Sequence, residues 1–126
     1  MDDQEYLSIM AELRFIGSVG ENQFLNCTTG KIVSKNIFSC VSRQIWYKQE
    51  NGQTCSRYCK NVIIKALRLY DKYKEIEGMS EYIKSIKKYI EDAKIGMEHL
   101  KNTHANNTLA FATFDSIIDC IKQRID

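Results

Sequence analysis

Not one proline occurs among the 126 residues of this chain, so no pyrrolidine ring interrupts a helix anywhere along it. Helix breaks must come from glycine, asparagine and short polar clusters, and long helices form readily between them. On this permissive backbone the apolar residues recur at helical spacing. The most regular stripe is Met79, Tyr82, Ile83, Ile86, Tyr89, Ile90, Ala93, Met97 and Leu100, with lysines opposite. A second, on a helix expected from a Thr54 cap to about Glu75, comprises Tyr58, Cys59, Val62, Ile63, Ala66, Leu69, Tyr70 and Tyr73. A third follows the polar loop His104-Ala105-Asn106-Asn107-Thr108, where Asn107 or Thr108 can cap, and holds Phe111, Phe114, Ile117, Ile118, Ile121 and Ile125.

The N-terminal third is less uniform. Tyr6, Ile9, Met10, Leu13 and Ile16 share one face of a helix expected over Asp2 to Ile16, and Asp2 and Glu5 have capping-box spacing. Gly17 and Gly20 end that helix, one of them expected in the left-handed C-terminal conformation. Gln23 to Cys27, a Thr28-Thr29-Gly30 turn and Lys31-Ile32-Val33 then read as a short hairpin or extended excursion. Ser34 or Asn36 caps a second expected helix with Ile37, Cys40, Val41 and Ile45 inward, and Glu50-Asn51-Gly52 is the clearest turn signal in the chain. The expected fold is therefore mainly all-α: about five helices in one bundle-like domain over residues 1–126, with a β-hairpin or extended excursion after the first helix. Short connections predict antiparallel neighbours among the last three helices.

Composition bounds the function. Apolar residues make up 44% and charged residues 27%, near globular averages, and a chain of this length buries roughly two-thirds of its unfolded surface without cross-links. No apolar run approaches the ~20 residues of a membrane span, and the acidic start Met1-Asp2-Asp3-Gln4-Glu5 lacks the features of a signal peptide. A cytoplasmic or virion setting is expected rather than secretion. The five cysteines then read as free thiols.

Cys55 and Cys59, one helical turn apart, could give zinc two thiolates, with His99 and His104 completing a tetrahedral set. Five residues on one helix place those histidines about 140° apart, unless the helix ends between them. Two ordinary helix cysteines and two loop histidines are the competing reading, and no metal or other cofactor is expected. Gly30-Lys31 fails as a phosphate loop, since Leu25 occupies the position of the first glycine and Ile32 that of the Ser or Thr. A nucleophile would have only His99 or His104 as its base. No carboxylate interrupts an apolar stripe where burial would raise its pKa. No catalytic residue and no small-molecule substrate are expected.

Binding is better represented. Trp46 and Tyr47, with Arg43, Arg57 and Lys60 around them, combine the aromatic and cationic side chains that anchor protein interfaces. The same region, residues 36–70, superficially meets the helix-turn-helix description, with Thr54, Ser56, Arg57, Lys60 and Asn61 suited to phosphates and base edges. A net charge of +2 does not by itself announce a nucleic-acid binder. Lys84, Lys87, Lys88, Lys94 and Lys101 are interleaved with Glu81, Glu91, Asp92 and Glu98, a mixed solvated face.

Leu13, Ile16, Gly17, Gly20-Glu21-Asn22-Gln23, then Lys31-Ile32-Val33, Ser42-Arg43-Gln44 and Glu50-Asn51-Gly52 ahead of a long helix form a pattern over residues 13 to 70. That pattern resembles short helical virion-associated proteins of large eukaryotic DNA viruses. The resemblance implies a small capsid-associated or virion-core component and carries over no catalytic residue. The expectation is a non-enzymatic structural or protein-interaction module that binds a protein partner or itself, with nucleic-acid binding through residues 36–70 as the alternative.

Overall fold

The helical spacing of the apolar side chains becomes, in a computed structural model that describes residues 3–20, 23–26, 31–34 and 49–125, a set of four helices. These are α1 (Asp3–Gly17), α2 (Gln49–Lys74), α3 (Ser80–Thr103) and α4 (Thr108–Ile125). Between α1 and α2, β1 (Gln23–Asn26) pairs antiparallel with β2 (Lys31–Ser34), Phe24 opposite Val33 and Leu25 opposite Ile32. The expected Thr28-Thr29-Gly30 turn and the expected second helix after Asn36 lie outside the described residues.

Both connections in the C-terminal half are short. The chain leaves α2, turns at Gly78 with φ 88°, and enters α3 from Met79. At the other end His104 to Asn107 leads directly into α4, where the Asn107 side-chain oxygen accepts a hydrogen bond from the Ala110 amide at 3.1 Å. Asn107 is thus the expected cap, satisfying one of the amide donors that a helix start leaves open. Consecutive helices reverse direction at each turn, so α2 and α4 run parallel. Gly52 of α2 lies against Asn107 and Ala110 at one end, and Asp71 pairs with Arg124 at the other.

The core forms where α1 and α4 each pack on the α2–α3 pair. Ile9, Met10, Leu13 and Ile16 come from α1, Ile86, Ile90, Ala93, Met97 and Leu100 from α3, and Phe114, Ile118 and Ile121 from α4. Each aliphatic side chain so buried contributes about 1.5–3 kcal/mol. Tyr6, Tyr73 and Tyr82 tie three helices at one end: Tyr6 meets Tyr82 edge-on at 4.9 Å, and Tyr73 meets Tyr82 edge-on at 5.9 Å. Edge-on contacts bring the positive rim of one ring to the negative face of the other.

Several expectations need correction. Residues 50–52 are not a turn but the first part of α2, which begins at Gln49 rather than after a Thr54 cap. Glycine there serves close packing: a Cβ on Gly52 would stand 2.6 Å from the Asn107 side-chain nitrogen Nδ2. Neither Gly17 nor Gly20 is left-handed, since Gly78 alone has positive φ among the described residues. Instead the Ser18 hydroxyl donates to the Phe15 carbonyl at 2.8 Å and the Val19 amide donates to that of Ile16, so the last carbonyls of α1 find partners without a left-handed residue. Phe111 does not turn inward; it is 36% exposed, with the Lys101 ammonium 5.0 Å from its ring centre.

The tightest contact is between α1 and α3. A Cβ on Gly96 would lie 2.0 Å from the Ile16 carbonyl oxygen, so only glycine lets the two backbones meet. In an unencumbered helix interior Gly→Ala gains about 1 kcal/mol. Here overpacking against backbone, typically 1–3 kcal/mol or more, outweighs that gain. Gly96→Ala should therefore lower the melting temperature, measured by circular dichroism at 222 nm, whereas a gain in stability would show that α1 does not sit on α3 in this way.

Candidate interaction surface

Two parallel helices in contact leave a furrow along their outer side, and α2 and α4 form one. Its floor is Ile63, Leu67 and Ile117, and its walls are Lys60 and Ile64 from α2 and Ala112, Thr113, Ser116 and Cys120 from α4. The volume is about 360 Å³. Ile64 and Leu67 extend the apolar arc of α2 beyond its core stripe. The α4 wall carries no charge because Ala112, Thr113, Ser116 and Cys120 fall on one flank of that helix.

One helical turn beyond the furrow, Arg124 bonds to Asp71, and Lys74 stands 3.4 Å from the same carboxylate. The Arg124 hydrogen bond is the main reason that the Asp71 carboxyl is held below its ordinary range. All three side chains are well exposed, so solvent screens these pairs and their contribution to stability is small. At the α2–α3 turn a second, more open cleft is bordered by Lys74, Lys84 and Lys87.

The sequence-expected contact residues divide. Arg43, Trp46 and Tyr47 lie outside the described residues. Arg57 and Lys60 are both exposed on α2, one turn apart, and Lys60 forms part of the furrow wall. Arg57 donates from Nε to the Gln53 carbonyl at 3.5 Å, and neither cation pairs with a carboxylate of the described residues. The furrow itself was not anticipated. Its signal was present in the unbroken uncharged flank of α4 and in the second isoleucine of Ile63-Ile64, which the stripe over Val62, Ile63, Ala66 and Leu69 does not need.

The four candidate zinc ligands are not assembled. Among the described residues no three His, Cys, Asp or Glu side chains gather as a metal would require. Cys55 and Cys59 are fully buried on the inner face of α2, with the Cys55 thiol 4.0 Å from the Leu25 carbonyl. His104 is buried at the C-terminal end of α3, its ring stacked on Phe114 at 6.4 Å, and His99 is half-buried one turn earlier. The cysteines belong to the core because their positions coincide with the apolar stripe, which competes directly with a ligand role. No described helix is long and apolar enough to cross a membrane.

Burial pushes the His104 imidazole below its ordinary value. The unfolded chain then binds a proton near pH 6.5 that the folded chain resists, so the contribution to stability is complete above about 6.5 and is lost as pH falls below it. Lowering pH from about 7 to 5 should reduce the melting temperature, and His104→Gln should flatten that slope; an unchanged slope would show that His104 is freely hydrated. Cysteine reactivity gives a separate check. In the native protein Cys120, which is exposed, should be alkylated long before Cys55 and Cys59, as read by peptide mapping. Comparison of the chain with family models, with curated proteins and with solved structures finds no match in any of the three.

Proposed function

We propose that this chain is a non-enzymatic structural or protein-interaction module, with the α2–α4 furrow and its cationic lip as the described part of its contact surface. The observation that carries the reading is the chemistry of that furrow. Its titratable lining consists of Lys60 and Cys120, set among aliphatic and small side chains, which suits the burial of a partner's apolar groups. Arg57 and Lys60 supply the cationic flank, and Trp46, Tyr47 and Arg43 are the aromatic and cationic residues that would extend it. The resemblance over residues 13 to 70 adds a setting, a minor virion-associated component in the cytoplasm or the virion.

A second reading keeps nucleic acid as the partner, favoured by the exposed, carboxylate-free pair Arg57 and Lys60. Residues 49–52, expected as the turn of that segment, are helical in α2, and the support for this reading is the charge of Arg57 and Lys60. Association with phosphates releases counterions, and binding then weakens steeply with salt.

One comparison separates the two. Trp46→Ala and the Arg57→Glu/Lys60→Glu pair should leave helicity unchanged and abolish co-purification of a protein partner at moderate salt. A chain that instead retains nucleic acid, with affinity falling steeply as salt rises and a shallower slope in Arg57→Ala, would replace the protein-interaction reading.

A further inference from the structure

We propose that the α2–α4 furrow seats an acidic amphipathic helix from a partner protein. The inference rests on the interaction-module reading and adds the chemistry of the partner. Because α2 and α4 run parallel, the furrow between them is straight, and ridges of a third helix fit the groove between two others. From Lys60 to Leu67 it runs seven residues of α2, roughly 10 Å at 1.5 Å per residue, or about two helical turns. That length receives anchors at i, i+3 or i+4, and i+7 on the floor of Ile63, Leu67 and Ile117. Small side chains on the α4 wall, Ala112 and Ser116 among them, let the incoming backbone approach closely.

Charge selects the occupant. The α2 lip carries Lys60, with the exposed Arg57 one turn beyond the furrow, neither paired with a carboxylate of the described residues, while the facing α4 wall is uncharged. The lip is therefore positive without local compensation. A helix with carboxylates flanking its apolar stripe meets two cations, whereas a basic helix is repelled, and such complementarity sets partner choice more than raw affinity. A nucleic acid would use the cations but leave the aliphatic floor uncovered.

Cys120 in the furrow wall reports occupancy directly. The test uses the full chain and three synthetic peptides: a leucine-striped helix flanked by glutamates, the same helix with lysines replacing the glutamates, and a scrambled acidic control. Alkylation of Cys120 is followed by peptide mapping. The glutamate peptide should slow it by about tenfold or more, and the other two should not. Arg57→Glu with Lys60→Glu, at exposed positions and verified as folded by circular dichroism, should transfer protection to the lysine peptide. Equal protection by both charge forms, or binding that leaves Cys120 reactive, overturns the proposal. So does a Cys120 that is unreactive in the free monomer, which would mean that the chain fills its own furrow, or one whose protection rises with protein concentration, which would mean a second copy. A partner that co-purifies while Cys120 stays fully reactive in the complex removes the furrow assignment and leaves the interaction-module reading in place.

Discussion

At Gly96 the backbone of α3 touches the backbone of α1 at the Ile16 carbonyl, with no side chain between them. That contact sets how deeply α1 sits, and the rest of the core follows from it. Only at this depth do Ile9, Met10, Leu13 and Ile16 reach full burial, and only then does Tyr6 meet Tyr73 and Tyr82 at the far end. A glycine inside a 24-residue helix carries a propensity cost of about 1 kcal/mol. Burial of four aliphatic side chains, each contributing about 1.5–3 kcal/mol, offsets that cost several times over.

The second consequence lies on α2. Its inner arc faces α1 and α3, while the flank bearing Ile63 and Leu67 is completed by α4. Two reversals of chain direction make α2 and α4 parallel, joined at one end by Gly52 against Asn107 and at the other by Asp71 with Arg124. Between these clasps the facing residues of α4 are too small to fill the space. The furrow is thus a product of residue size on α4 and helix direction, with one cationic lip supplied by the outer face of α2.

Much of this arrangement could be read from residues. The stripe from Met79 to Leu100 is buried at Ile86, Ile90, Ala93, Met97 and Leu100 and partly buried at Met79, Tyr82, Ile83 and Tyr89, and the Asn107 cap makes its hydrogen bond, because a 3.6-residue period reports directly on which side chains face a neighbour. Glu50-Asn51-Gly52 misled for a physical reason. Local turn propensity and tertiary packing make opposite demands on Gly52, and the contact with Asn107 and Ala110 decides the outcome. Phe111 illustrates the opposite error, since hydrophobicity placed it inside while its angular position and the Lys101 ammonium hold it at the surface. Of the candidate surface, Lys60 in the furrow wall and Arg57 one turn before it were legible as candidate contact residues. The furrow was not, because it depends on α2 and α4 coming into direct contact, a property of three-dimensional packing rather than of any one stripe. For the cysteines the converse held: spacing suggested ligands, and burial makes them core.

Native-state amide hydrogen exchange measures most directly whether α1 is held by α3. The contact at Gly96 predicts that the amides of residues 9–16 are protected to nearly the same degree as those of residues 86–97, because α1 cannot open without exposing the same core. Exchange of the α1 amides at close to unfolded-chain rates, with α2, α3 and α4 still strongly protected, would contradict this account of the fold.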